Sequence, residues 1–415
     1  MKGFFSNTET QSVALHTTKG HKLSCYACGL YKGEIKHPKM QPTGAFNKQI
    51  MCVGEYTNAQ DDARGKPFQG KESLLNDVFK ECGIDLENDC ISVNAVMCHA
   101  YDKKTGKARV PNEHEIACCR INVLKAIEQY KPKMIFLFGK IALNSVMETL
   151  WSDSINSLDN WRGFVIPDQK LKCWIAPVYS ASYVRIIMEK NSVVRKVWKD
   201  DIRNALDKLK EPFPVYKEPK ITVVKDLSIL SDISNHTTVA FDYETTGLKP
   251  HAEGHQIVCC SVAVNGDEVY VFEMPKTKLK RQPFTDLLKN PYIKKMAHNI
   301  KFEDAWTIVR LKTRIRNWYW CSMQAAHILD NRTGVTGLKF QTYVNFGVAG
   351  YNDTVKSWLQ SEDQKNANSL NRMVEYIASP TGKKETLRYC ALDSIFEYRL
   401  AMHQMKEIEN RALPF

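Results

Sequence analysis

The chain has 415 residues, 43% of them hydrophobic and 25% charged, with a formal net charge of +12. That length exceeds one ordinary core, and the composition is that of a globular protein rather than a fibrous or disordered one. No apolar run spans a bilayer and Met1–Thr8 lacks the apolar core of a signal peptide, so a cytoplasmic protein with a polyanionic partner and no membrane is expected.

Cys25-Tyr-Ala-Cys28 is the first informative pattern, and alone it fits zinc, an iron-sulfur cluster, a redox pair or no chemistry. Thirteen cysteines, an odd number in a compartment expected to be reducing, favour free thiols and metal ligands over disulfides. Gln49–Gly54 reads as an apolar strand, Glu55–Gly70 as a glycine- and proline-punctuated loop, and Ser73–Cys82 as a helix. Strands over Cys90–Met97, Met134–Phe138 and Cys173–Val178 then alternate with helices over His114–Tyr130 and Lys140–Leu150. Such alternation predicts an α/β layer with a mostly parallel sheet. Basic clusters at Lys103–Arg109, Lys276–Arg281 and Lys312–Arg316 lie in loop-like sequence, and their common sign points to nucleic acid.

Gly54-Glu55 with Asp62-x-x-Gly65-x-Pro67-Phe68-x-Gly70, Asn94 followed by Cys98, and Cys119 ahead of Pro132 together resemble the family 4 uracil-DNA glycosylases over residues 20–190. The resemblance implies a 4Fe-4S cluster on Cys25, Cys28, Cys98 and Cys119, with Cys118 as the adjacent alternative ligand and Zn2+ as the alternative metal. It also implies a base pocket in which Phe68 stacks and Asn94 reads the base edge. Family members carry Gly-Glu-Ala-Pro-Gly and His-Pro-Ser, whereas this chain has Gly54-Glu-Tyr-Thr-Asn58 and Ser180-Ala-Ser182. Ser180 thus replaces the histidine that stabilises the leaving uracil anion, so uracil excision is expected to be lost.

Lys210–Pro219 holds three prolines and four charges and reads as an extended linker, which gives domains over 1–210 and 221–415 with a linker over 211–220. Val239–Gly247 places Asp242 and Glu244 at alternate positions of an apolar strand, so both face one side. Alone, that spacing fits a surface strand with two solvated acids as readily as a metal site. Ile257–Val264 and Glu268–Phe272 flank Asn265-Gly266, a hairpin signal. Met296–Trp306 runs from strand into helix, and Tyr389 and Asp393 sit one helical turn apart. Residues 343–371 are polar and give no assignment.

These three motifs, in this order, resemble the DEDD exonucleases with a tyrosine in the third motif, the proofreading type of family A DNA polymerases, from residue 221 to about 405. The resemblance implies a ribonuclease-H-like fold in which Asp242, Glu244 and Asp393 hold two Mg2+ or Mn2+ ions, Tyr389 orients the attacking water, and Asn299 and Lys301 contact DNA. The carboxylate of the second motif is Glu303 by register, with Asp304 as the alternative. The fusion resembles the front of certain bacteriophage family A polymerases. The function expected is a 3′–5′ DNA exonuclease carrying an inactive glycosylase-like domain. It would act on single-stranded 3′ ends and primer-template beside a DNA polymerase, supplied by another chain or by a domain beyond Phe415, in the host cytoplasm. The alternatives are a ribonuclease D-like RNA exonuclease and a non-catalytic scaffold for DNA or a polymerase.

Overall fold

The computed structural model describes residues 23–69, 73–102, 104–155, 157–235, 237–361, 363 and 365–411. Met1–Thr8, Gly70, Lys103 and the residues after Arg411, all drawn on above, lie outside the described residues. The chain divides between Phe213 and Pro214 into two compact units. Around that point, residues 212–219 form neither helix nor strand, as the prolines require.

In the first unit five strands form one sheet: β1 (Ile50–Tyr56), β2 (Cys90–Val96), β3 (Met134–Phe138), β4 (Ile166–Asp168) and β5 (Cys173–Val178), in the order β2-β1-β3-β5-β4. All pair in parallel except β4, which runs antiparallel at the edge. Strands covered on both faces read as unbroken apolar runs, and Ile50–Val53 and Met134–Phe138 are indeed buried throughout. The covering helices are α1 (Cys25–Cys28), α2 (Ala59–Arg64), α3 (Ser73–Glu81), α4 (Glu113–Tyr130), α5 (Lys140–Met147), α6 (Leu158–Trp161), α7 (Ala181–Met188) and α8 (Val193–Lys208). The core on one face joins Ile50, Phe136 and Phe138 of the sheet to Phe79, Val184 and Trp198 of the helices. The register sets Gly54 beside Asn94, so both reach the same C-terminal edge of the sheet, where open parallel sheets bind ligands.

The stretch read as a loop over Glu55–Gly70 contains α2. Asn58 accepts from the backbone N–H groups of Gln60 and Asp61, and Asp61 accepts from the N–H of Asn58, a complete capping box. The helix is short because Gly65 closes it in the left-handed region.

The second unit has a six-stranded mixed sheet in the order β11-β10-β7-β8-β9-β6, formed by β6 (Lys220–Val223), β7 (Thr238–Thr245), β8 (Ile257–Ala263), β9 (Glu268–Glu273), β10 (Lys294–Ala297) and β11 (Trp318–Cys321). The hairpin β8–β9 is antiparallel, as Asn265-Gly266 indicates, while β10 and β11 run parallel to β7. This is a ribonuclease-H-like α/β layer. Its helices are α9 (Lys278–Lys289), α10 (Ile300–Trp306), α11 (Ser322–Leu329), α12 (Leu338–Phe346), α13 (Lys356–Leu359), α14 (Met373–Ala378) and α15 (Pro380–Arg411). Along β7 the side chains alternate. Val239, Phe241 and Tyr243 enter one core with Phe284 and Trp306, and Ala240 enters the other with Leu387, Cys390 and Ala391 of α15. Asp242 and Glu244 share the parity of Ala240, which turns them toward α15. The basic stretch Lys276–Arg281 is not a loop throughout: Thr277 caps α9, so Lys278–Arg281 is helical. Part of the unassigned region over 343–371 completes α12 and forms α13. Among the described residues no helix is long and apolar enough to cross a membrane.

Candidate catalytic and metal sites

The end of β7, the start of α10 and the middle of α15 bring four carboxylates into one another's field. Asp242 and Glu244 offer oxygens within 4.8 Å of each other and of the Cys390 thiol on α15. Glu303, Glu244 and Asp393 are 2%, 5% and 4% exposed, so ionising them without a counter-charge is costly. Burial pushes the acids of Asp242, Glu244 and Glu303 well above the usual range. After burial, the strongest push on Asp242 comes from Asp393, and on Glu244 and Glu303 from Asp242. Asp304, next to Glu303, instead accepts the indole N–H of Trp318 at 3.3 Å. Successive helical residues point about 100° apart, so the two face different partners, Glu303 the Asp242 charge and Asp304 the Trp318 indole. Asn299 caps α10 in the left-handed region (φ 72°) and Lys301 in the first turn is exposed.

Tyr389 is 7% exposed one turn before Asp393, and burial followed by the Asp393 charge holds its phenol protonated. The cation at Asp393 is Lys339 of α12, whose ammonium is bonded to Oδ1 and lies 4.4 Å from the centre of the Tyr389 ring. Tyr351 donates to the same oxygen at 2.7 Å. Behind them, His298 Nδ1 meets Ser322 Oγ at 2.7 Å, and the Ser322 hydroxyl donates to Glu397. Burial and then the Lys339 charge push the imidazole down to about 3, so it is neutral. Burial lifts Glu397 to about 8 against the pull of the Ser322 hydroxyl. Lys339, Tyr351 and Glu397 lie outside the three motifs; Glu397 alone carried a sequence signal, its place one turn after Asp393. Hard carboxylate oxygens crowded in this way suit divalent cations. A cleft of about 350 Å³ opens beside them, lined by Glu244, Leu248, Phe302, Ser361 and Asn371. Asn371 tethers its wall to the strand end, donating from Nδ2 to the Thr245 carbonyl and from its N–H to that of Thr246.

In the first unit Cys25, Cys28, Cys98, Cys118 and Cys119 line one small cavity. Ser24 caps α1 and Gly29 closes it at φ 69°, which holds Cys25 and Cys28 on a single turn. The Lys39 N–H donates to Cys98 Sγ at 3.3 Å and the Met97 N–H to Cys119 Sγ at 3.4 Å, while the Asn122 amide reaches both Cys25 and Cys119. Burial pushes the thiols of Cys28 and Cys119 up to about 11 and 12. Converging thiols supplied with N–H donors suit a site that binds thiolates to metal, and either an iron-sulfur cluster or zinc fits that donor set. Cys118 lies 3.5 Å from His114 Nε2. Asn122, one turn after Cys118 and Cys119 on α4, was not singled out from sequence.

Between the C-terminal ends of β1, β2 and β3 lies a cavity of about 120 Å³ whose lining includes Glu55, Asp61, Phe68, Asn94, Phe138 and Ser180. This is room for about four waters at their liquid volume, the scale of a single ring. Gly54 is required there, because a Cβ would lie 2.3 Å from Asn94 Oδ1. Phe68 packs edge-on against Phe138, centroids 5.8 Å apart. The Asn94 amide donates to Asp61 at 3.3 Å and faces Thr57 Oγ1 at 3.4 Å. Ser180 caps α7 by accepting the Tyr183 N–H, and its hydroxyl also meets Glu55. Among the described residues lining this cavity none is basic.

Residues 41–223 match the uracil DNA glycosylase superfamily and residues 224–409 match the 3′–5′ exonuclease family. The type-4 uracil-DNA glycosylase of Pyrobaculum aerophilum is 28% identical over 135 residues, which is 32% of this chain and 65% of that protein, so the chain spans a little under two thirds of its length. The enzyme of the same name from Thermotoga maritima is 26% identical over 192 residues, 45% of this chain and 90% of that protein. Among solved structures, Brucella melitensis NrnC with bound Mg2+ superposes with a TM-score of 0.34 at 20% identity, covering 47% of this chain and 82% of that one.

Proposed function

We propose, for a domain of the uracil DNA glycosylase superfamily joined to a 3′–5′ exonuclease domain, that the second removes nucleotides from the 3′ end of DNA and the first grips DNA without excising uracil. On this reading the domains occupy 1–210 and 221–415, and the chain proofreads for a DNA polymerase in bacteriophage replication. The observation that carries the nuclease reading is the convergence of Asp242, Glu244, Glu303 and Asp393 beside Tyr389, with Glu244 also lining an open cleft. When bound, two divalent cations supply a water of lowered pKa and neutralise charge on the leaving oxygen. Asp242, Glu244, Glu303 and Asp393 hold them. Tyr389 keeps its proton and positions the water by hydrogen bonding, and Lys339 is the cation bonded to Asp393. Leu248, 68% exposed, and Phe302 offer apolar surface to the terminal base.

Loss of excision is supported by the electrostatics of the first pocket. A leaving uracil anion is best met by a cation or a free donor, yet the described lining holds no cation, presents the Glu55 and Asp61 carboxyls and engages the Ser180 hydroxyl with Glu55. The cysteine cavity supports an iron-sulfur cluster on Cys25, Cys28, Cys98 and Cys119, with zinc as the other candidate.

The test is 3′-end release from a labelled DNA strand and from the matching RNA, with Mg2+, with Mn2+ and with chelator, with and without a polymerase and primer-template from the same source. Metal-dependent release from DNA, sharpened by the polymerase, is the expected result. Faster release from RNA overturns the DNA assignment, and no effect of the polymerase removes the partnership.

A further inference from the structure

Glu397 lies one turn beyond Asp393 on α15, so both occupy one helix face, and it is 1% exposed. Its two oxygens have different surroundings. Oε2 accepts the hydroxyl of Ser322, the first residue of α11, and lies 3.8 Å from His298 Nδ1. Oε1 is buried with no hydrogen-bond partner, and the same holds for Oε2 of Glu303. The Glu397 charge is felt at both Asp242 and Glu303 and opposes the ionisation of each. A residue that only anchored α15 to α11 would account for the bonded oxygen. It would not account for a second carboxylate oxygen buried bare while the motif acid Glu303 also buries one, an arrangement that is costly unless a proton or a cation meets them.

We propose that Glu397 is a fifth carboxylate of the cation site, with Ser322, itself held by His298, fixing one oxygen and the other offered, together with Glu303, to a divalent cation of the Mg2+ or Mn2+ class. The inference rests on the reading of the second unit as a metal-dependent nuclease. In oxygen-ligand sites affinity rises with the number of charged ligands, so Glu397 acts on how tightly the ion is held before any substrate arrives.

The experiment is a Mn2+ titration of the full chain, followed by the electron paramagnetic resonance signal of free Mn2+, with melting in chelator run in parallel. It compares the wild type with Glu397→Gln, Glu397→Asp and Asp242→Asn. Glu397→Gln is expected to weaken Mn2+ binding about tenfold while the metal-free protein melts at the same temperature or higher. Glu397→Asp, which keeps the charge but retracts it by one methylene, is expected to weaken binding severalfold and keeps the test open if the glutamine variant does not fold. Unchanged Mn2+ affinity in the glutamine variant, or in the aspartate variant where the glutamine variant does not fold, overturns the proposal and leaves the anchor. If the wild type itself binds no Mn2+, the nuclease reading falls with it. If the wild type binds, Asp242→Asn does not, and the Glu397 variants bind like the wild type, only this inference falls.

Discussion

The base-sized cavity of the first unit and the carboxylate site of the second both lie at C-terminal strand ends, and both bury acids, yet they treat them in opposite ways. Asp61 accepts from the Gln69 N–H at 2.7 Å, from the Asn58 N–H and from the Asn94 amide, and Glu55 accepts from the Ile141 N–H and meets Ser180. Each acid is supplied by neutral donors from its own fold. In the second unit Asp242, Glu244 and Glu303 chiefly meet one another, and oxygens of Glu303 and Glu397 meet no donor. The difference teaches how to tell a finished pocket from an unfinished site: the first needs no ligand to satisfy its charges, and the second does.

Asp242→Ala and Asp393→Ala test that contrast with the largest expected effect. Each is expected to cut 3′-end release by on the order of 10²–10³ or more, while metal-free Asp242→Ala holds or raises its melting temperature because crowding is relieved and Asp393→Ala, which strands Lys339 and Tyr351, lowers it. Release that persists at the wild-type rate, or a marked loss of stability of Asp242→Ala in chelator, would break the comparison. Within the same site, Glu303→Gln is expected to lose far more rate than Asp304→Asn. The reverse order would move the second-motif role to Asp304.

Metal removal sharpens the comparison from the cysteine side. The protein is expected to purify with iron and a visible band that bleaches on chelation, with a lower melting temperature afterwards. Cys119→Ser is expected to lose more metal than Cys118→Ser, since the Met97 N–H and the Asn122 amide both serve Cys119. Fresh protein holding neither iron nor zinc would defeat the site. In the base cavity the sign turns over: Asp61→Ala is expected to destabilise by about 1–3 kcal/mol, because it strands buried donors, read as a lower melting temperature. A gain there would show that its acids are as frustrated as those of the second unit. The smallest effect is expected of Ser180→His, which restores a donor beside an unchanged Glu55 and should raise uracil release from near zero by only about tenfold. Efficient release by the unaltered chain would refute the loss of excision.

The local code carried much of this. A period of two along β7 is written in the order of residues, so Asp242 and Glu244 on one face, and opposite the core of Phe241 and Tyr243, could be read without coordinates. The hairpin at Asn265-Gly266 and the apolar runs of β1 and β3 were legible for the same reason, since backbone preference and burial act over a few neighbouring residues. The capping box that makes α2 was present in Asn58 and Asp61 but was masked by surrounding glycine and proline.

What tertiary structure alone decided is which distant groups meet. Glu303 and Asp304 are equivalent as residue types one step apart, and only the rotation of α10 against β7 turns the first toward Asp242 and the second toward Trp318. Lys339 and Tyr351 reach Asp393 across 54 and 42 residues of chain, and Ser322 reaches Glu397 across 75. No local periodicity encodes such pairs, because the free energy that selects them comes from removing charge from water and then compensating it, and that term exists only once the chain has closed around the site.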